Sequence, residues 1–242
     1  KKYSVDIISF ADEEGTYLGM VGSRMFCNLI NHDKREIESA IKFSGEESLI
    51  DALERTNLLN RNIVSFDPER HFAFFEAHIE QGPYLEKMHK KIGVVTGIVG
   101  IRGVKFVLTG EQNHAGTTPM FLRKDAGMQA MILASKINEE FEKHKGQRTV
   151  WTFGDIQFHP GSHSIIPGKC DLFLQWRDED KKQLDKFDKV VANIVKSMNH
   201  TSSVHIESIA LNNNCDPAPC DKGLQNIIVN SCKKICPNQF QI

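Results

Sequence analysis

Long apolar runs, a dominant charge and paired CxxC motifs are all missing from this 242-residue chain. No stretch approaches the roughly 18 apolar residues that a membrane-spanning helix needs, so a bilayer partner is not expected. Thirty basic residues against 31 acidic ones leave a net charge of −1. That excludes the broad positive field by which proteins hold nucleic acid or anionic membranes. Six cysteines are present, but the spacings Cys215 to Cys220 and Cys232 to Cys236 are not those of a zinc ribbon. They read as free thiols of a cytoplasmic protein. Internal repeats and low-complexity tracts are also missing. So are an initiator methionine and the apolar core of a signal peptide; the opening Lys1-Lys2-Tyr3-Ser4 looks like the middle of a protein. The length leaves room for one large domain or two modest ones with ample core.

Two short apolar runs, each ending in acid, stand out against this background. Tyr3 to Ala11 closes in Asp12-Glu13-Glu14-Gly15, and Phe72 to Ile79, which contains His78, closes in Glu80-Gln81-Gly82-Pro83. Both read as buried strands of a parallel sheet, whose carboxyl ends are where open α/β sheets bind ligands. Adjacent glutamates leaving a strand point to opposite sides of the backbone, so one can ligate a metal while its neighbour faces a water. Taken singly, an acidic cap and a satisfied core histidine explain the two ends equally well. Together they are a candidate for one metal site.

From Val104 the pattern changes. Alternation over Val104, Phe106 and Leu108 predicts a half-buried strand that stops at Gly110. Pro119 precedes a helix with Ala130, Ala134, Ile137 and Phe141 at helical spacing. Strands follow over Thr149–Phe158 and Lys169–Arg177, then a helix with Leu184, Phe187, Val191, Ile194 and Met198, and a strand over Val204–Leu211. The order β-α-β-β-α-β is that of a four-stranded antiparallel sheet covered on one face by two helices. Its boundaries fall near Gly97 and at Asn212. Asp221 then caps a helix, striped by Leu224, Ile228 and Ile235, that is expected to return to the first domain. The expected fold class is therefore an α/β domain formed by residues 1–97 and 212–242, cut off at both ends, with an inserted α+β domain at 98–211.

Three further places carry candidate chemistry. Asn113-His114-Ala115-Gly116-Thr117-Thr118 sets a histidine in a small-residue loop, which is either a ligand-approach loop or a plain turn. Pro160 to Gly168, with Ser164 inside, joins two strands and reads equally as hairpin chemistry. Arg177 lies on the less apolar face of its strand, where it either clamps a carboxylate bidentately or makes a surface ion pair.

The stretches Phe10-Ala11-Asp12-Glu13-Glu14-Gly15, Gly22-Ser23-Arg24, His78-Ile79-Glu80-Gln81-Gly82-Pro83, Asn113 to Met120, Arg123-Lys124-Asp125-Ala126, Ile166-Pro167-Gly168 and Arg177 together resemble the hydantoinase/carbamoylase branch of the M20 metallopeptidase-like family. The resemblance covers essentially the whole chain, in family order. It implies a metal-dependent amidohydrolase acting on the carbamoyl or ureido group of carboxylate-bearing small molecules such as N-carbamoyl-L-amino acids or allantoate, with release of ammonia and CO2. It also implies two divalent ions (Mn²⁺ or Zn²⁺, or Co²⁺) and a homodimer formed through the inserted lid. By that analogy Glu14 and His78 are metal ligands, and Glu13 is the general base. Gln81, Asn113 and Ser164 contact substrate, His114 hydrogen-bonds the developing oxyanion, and Arg177 binds the substrate carboxylate. Ser164 stands where the family usually has asparagine. The family's remaining ligands would lie before Lys1 and beyond Ile242, so the chain as written is expected to bind metal weakly. An M20 dipeptidase and a non-catalytic dimerising protein are the rival readings.

Overall fold

A computed structural model describes residues 3–30, 34–42, 45–59, 61, 64–211 and 213–242, with the side chains of 34–36 left out. The expected opening at Lys1-Lys2 and the expected boundary at Asn212 lie outside the described residues. The chain forms two compact units, Lys1–Ile79 and Glu80–Ile242.

The first unit holds three short helices, α1 (Val21–Phe26), α2 (Lys34–Ser39) and α3 (Leu49–Arg55). Ser48 starts α3 through a reciprocal capping box with Asp51, which satisfies two otherwise orphaned groups. Val21, Ile30, Ile37, Ala40 and Leu49 form its small core. The two apolar runs predicted as buried strands do not become strands here. Residues 4–10 and 71–79 form neither helix nor strand and join no ladder among the described residues. Val5 is 85% exposed, Ile7 96% and Phe72 78%. Aromatic stacking of Tyr3 on Phe72, with centroids 5.3 Å apart, and an ion pair from Arg70 to Asp6 at 3.0 Å tie the two runs together. The reason for the difference is physical. An apolar, β-branched run signals a need for cover on both faces, whereas a strand exists only where a neighbour supplies its ladder.

The second unit opens with α4 (Tyr84–Lys87), β1 (Ile92–Gly93) and β2 (Gly97–Ile98). Then come β3 (Gly100–Thr109), β4 (Asn113–His114), α5 (Ala126–His144), β5 (Val150–His159), β6 (Ile165–Ile166) and β7 (Lys169–Asp178). It closes with α6 (Lys181–Thr201), β8 (His205–Ala210), β9 (Ala218–Pro219), α7 (Lys222–Ile235) and β10 (Phe240–Gln241). The sheet order is β5-β7-β3-β8, all neighbours antiparallel. Phe106, Leu108, Cys170, Leu172 and Leu174 on one face of the sheet meet Leu133, Ile137 and Phe141 of α5 and Leu184 and Phe187 of α6 in one buried core. Phe141 and Phe187 stack at 3.9 Å. Asp125 and Asp180 cap the two helices by accepting N–H groups of the first turn.

A second, smaller core joins Val94 to Val229 and Cys232 of α7, with Phe240 packed against it. The buried stripe of α7 is thus Val229 and Cys232, with the predicted Ile228 packed against them and the predicted Leu224 and Ile235 outside that core. Ile235 is 82% exposed, because β1 and β10 reach the helix from one side only. The segments entering and leaving the sheet layer run side by side as β2 and β9. On the open face of the sheet, Asp171 is nearly buried beneath Lys105 at 2.8 Å, Lys169 at 3.5 Å and His159 at 3.8 Å. Burial pushes its carboxyl up, but the Lys105 ammonium, with Lys169 behind it, outweighs that and holds it below the ordinary carboxylate value.

Candidate active site

In the first unit, the acidic turn is built by Asp12. Its carboxylate accepts the N–H groups of Thr16 at 2.6 Å, Tyr17 at 3.0 Å and Leu18 at 3.1 Å. Burial raises this carboxyl, and the three donors more than reverse it, so it sits below its usual value. α1 docks onto the same turn, with Gly22 N donating to Ala11 O at 3.0 Å. A Cβ on Gly22 would meet Ala11 N at 2.6 Å and Ala11 O at 2.7 Å, so only glycine allows this approach. The carboxylates of Glu13 and Glu14 are exposed and accept no hydrogen bond from the described residues.

His78 is exposed, and its Nδ1 lies 2.5 Å from Ile79 O. A carbonyl only accepts, so Nδ1 carries the proton and the Nε2 lone pair is left for a ligand, the arrangement that backbone carbonyls impose on metal-binding histidines. Carboxylate oxygen and imidazole nitrogen suit Mn²⁺, Zn²⁺ or Co²⁺, and these atoms fit as donors. No group of three His, Cys, Asp or Glu able to hold a metal ion is present among the described residues.

The second unit contains the remaining candidates. Glu80 accepts the N–H groups of Tyr84 at 2.8 Å and Leu85 at 2.9 Å, so it starts α4, while the neighbouring Gln81 turns the chain at φ 50°. β4 pairs with β6, setting Asn113 opposite Ile166 and His114 opposite Ile165. Ala115 N donates to Ser164 O at 3.0 Å. Asn113, His114 and Ser164 are therefore gathered on one exposed loop pair. Asn113 Oδ1 accepts from His114 N at 2.9 Å, leaving its amide NH2 to face outward. The Nδ1 of His114 accepts from Gly116 N at 3.0 Å and Thr117 N at 3.2 Å. With Nδ1 an acceptor, the proton of the neutral ring is on Nε2, so His114 presents an N–H donor.

Arg177 is exposed at the far end of β7 and donates from Nε to Gln175 Oε1 at 2.9 Å. At roughly 3.3 Å per residue it is about 26 Å along the strand from Lys169, beside which the β4–β6 loops lie. One copy of the sheet therefore does not bring Arg177 to His114.

Sequence reasoning quoted, but gave no individual role to, three residues that build these sites. They are Asp12, Gly116, whose Cβ would meet His114 Cε1 at 3.1 Å, and Arg123, which donates to Ala115 O at 2.7 Å and Thr118 O at 3.0 Å. A glycine two places after the histidine was the visible signal. The role of Arg123 had none without the loop's shape.

Residues 96–202 match the family model described as the peptidase dimerisation domain. A solved amidase of the hydantoinase/carbamoylase family from Burkholderia phymatum is 38% identical with a TM-score of 0.83, covering 99% of this chain and 58% of that one. Over nearly its whole length this chain is therefore similar to the hydantoinase/carbamoylase branch of the M20 family. Among curated relatives, the N-carbamoyl-L-amino-acid amidohydrolase of Pseudomonas sp. (strain NS671) is 29% identical over 97% of this chain and 57% of its own length. The allantoate amidohydrolase of Escherichia coli (strain K12) is 31% identical over 96% of this chain and 56% of its own. The chain thus spans a little over half the length of these relatives.

Proposed function

We propose that this chain carries metal-dependent amidohydrolase chemistry on the carbamoyl or ureido group of small carboxylates such as N-carbamoyl-L-amino acids or allantoate. The observation that carries the reading is the opposite backbone contact at each near ring nitrogen, Ile79 O beside His78 Nδ1 and the Gly116 and Thr117 N–H groups on His114 Nδ1, which argues for a lone pair at His78 Nε2 and an N–H at His114 Nε2. The first is what a metal ligand needs, and the second is what a developing oxyanion needs. Glu14 and His78 would hold a divalent ion. When bound, such an ion polarises a poorly electrophilic ureido carbonyl and acidifies water. Glu13, exposed and without a hydrogen-bond partner among the described residues, takes the proton of the attacking water and returns it to the leaving nitrogen. The C–N bond breaks, ammonia departs, and the carbamate left behind loses CO2. His114 donates to the carbonyl oxygen as its charge grows, Asn113, Ser164 and Gln81 orient the substrate, and Arg177 clamps its carboxylate.

Residues 98–211 act in this reading as a lid and dimerisation domain, and residues 1–97 with 212–242 as the metal-binding one. The core drawn only from residues 104–206 supports the division, as does the pairing of β2 with β9 at its neck. The outer edge of β5 pairs with no strand among the described residues. Beside it Met128, Met131 and Ile156 are exposed, the features of a strand and patch awaiting a second copy. The separation of His114 from Arg177 along the sheet supports a site completed by two lids. All six cysteines are free, which supports a reducing, cytoplasmic setting, and no helix among the described residues is long and apolar enough to cross a membrane.

The deciding experiment is ammonia release from N-carbamoyl-L-amino acids and from allantoate after dialysis against Mn²⁺ or Zn²⁺, run beside a dipeptide panel. Turnover of either ureido substrate is expected. Dipeptide cleavage without ammonia release would overturn the reading, as would a failure to retain metal together with no turnover of any substrate.

A further inference from the structure

The imidazole of His114 is set by two backbone N–H groups, and those groups belong to an exposed loop with no core of its own. Arg123 holds that loop. Its guanidinium is half-buried, and among the described residues it meets no carboxylate. Its side-chain hydrogen bonds go to Ala115 O at 2.7 Å and Thr118 O at 3.0 Å. The backbone of Arg123 is itself fixed by a turn of 3-10 helix, Met120–Leu122, through Arg123 N to Met120 O at 3.2 Å. The acceptor Ala115 O and the donor Gly116 N–H are the two ends of one peptide unit. A cation at the oxygen end draws electron density along the amide and strengthens the N–H at the other end, because linked hydrogen bonds polarise one another.

We propose that Arg123 is a positioning residue that acts on His114 through the Ala115–Gly116 peptide, fixing Nδ1 as acceptor and so presenting Nε2–H to the substrate. The inference rests on His114 being the oxyanion donor of the preceding reading. Lysine at 123 would keep the charge but lose the fork that bridges two carbonyls, and glutamine would lose the charge. Alanine at 116 tests the same contact from the other side, since its Cβ would press the ring at Cε1 from 3.1 Å.

The test is ¹⁵N nuclear magnetic resonance of histidine-labelled protein, with the His114 signals assigned by their loss in His114→Gln. The parent chain is expected to show a single Nε2–H tautomer at His114. Arg123→Gln and Gly116→Ala are expected to show a mixture of both tautomers, with Arg123→Lys between. In the turnover assay, Arg123→Gln should lower kcat about ten-fold with little change in KM, a share of the roughly 10²–10³ that a whole oxyanion donor provides. An Nδ1–H tautomer in the parent would overturn the proposal. So would a single Nε2–H tautomer that persists in both variants with unchanged melting. Should Arg123→Gln fail to fold, Gly116→Ala and Arg123→Lys decide. If His114→Gln leaves ammonia release unchanged, the catalytic role of His114 fails while the tautomer result still judges Arg123.

Discussion

His78 and His114 are both exposed histidines beside turns, yet the backbone prepares them for opposite tasks. At His78 a carbonyl accepts a hydrogen bond from Nδ1–H and leaves a lone pair on Nε2. At His114 two N–H groups fill the Nδ1 lone pair and leave a proton on the far nitrogen. The difference lies in one to three residues of backbone on the C-terminal side of each ring. A histidine's chemistry is thus set less by its own burial than by whether an N–H or a C=O reaches its near nitrogen.

Substitutions can break this comparison, and the largest effect is expected at Glu13. Glu13→Gln should lower kcat by about 10²–10⁴ with metal content per chain unchanged, whereas Glu14→Ala and His78→Ala should lose metal in elemental analysis. Equal metal loss at all three positions would undo the division of roles. Phe106→Ala, a cavity in the core between the sheet, α5 and α6 where the side chain is 0% exposed, should cost about 3–5 kcal/mol by denaturant titration. Val5→Ala on the exposed run should cost far less than that. His114→Gln should lower kcat by about 10²–10³ and leave metal content alone, the mirror image of His78→Ala.

The smallest effect is a pH dependence. The Asp171 carboxyl is held low in the folded state, so its stabilisation is fully present above about pH 4, the unfolded value. It is lost as pH falls through the lower folded value. Acid titration of the melting temperature should show this loss, and Asp171→Asn should flatten it.

The sheet and its two covering helices were legible in sequence because their period-two and helical patterns describe a core that these elements themselves supply. Leu172, Leu174 and Trp176 alternate inward as their spacing predicts, and Phe187 and Met198 sit on the buried face of α6. The runs at 3–11 and 72–79 were legible only as apolar, since periodicity reports a demand for cover and not the neighbour that meets it. Of the site, the residue types stood out, but the tautomers did not. They depend on where the Gly116, Thr117 and Ile79 backbone groups point, and no pattern of side chains encodes that.

Three acids in a row, Asp12, Glu13 and Glu14, look interchangeable, and the turn sorts them. Asp12 is engaged by three peptide N–H groups and so holds the turn together. A scan that found Asp12→Asn to be damaging would be reporting the loss of a turn, not of a ligand. The neighbouring glutamates keep their charge facing water because the aspartate has turned its own inward.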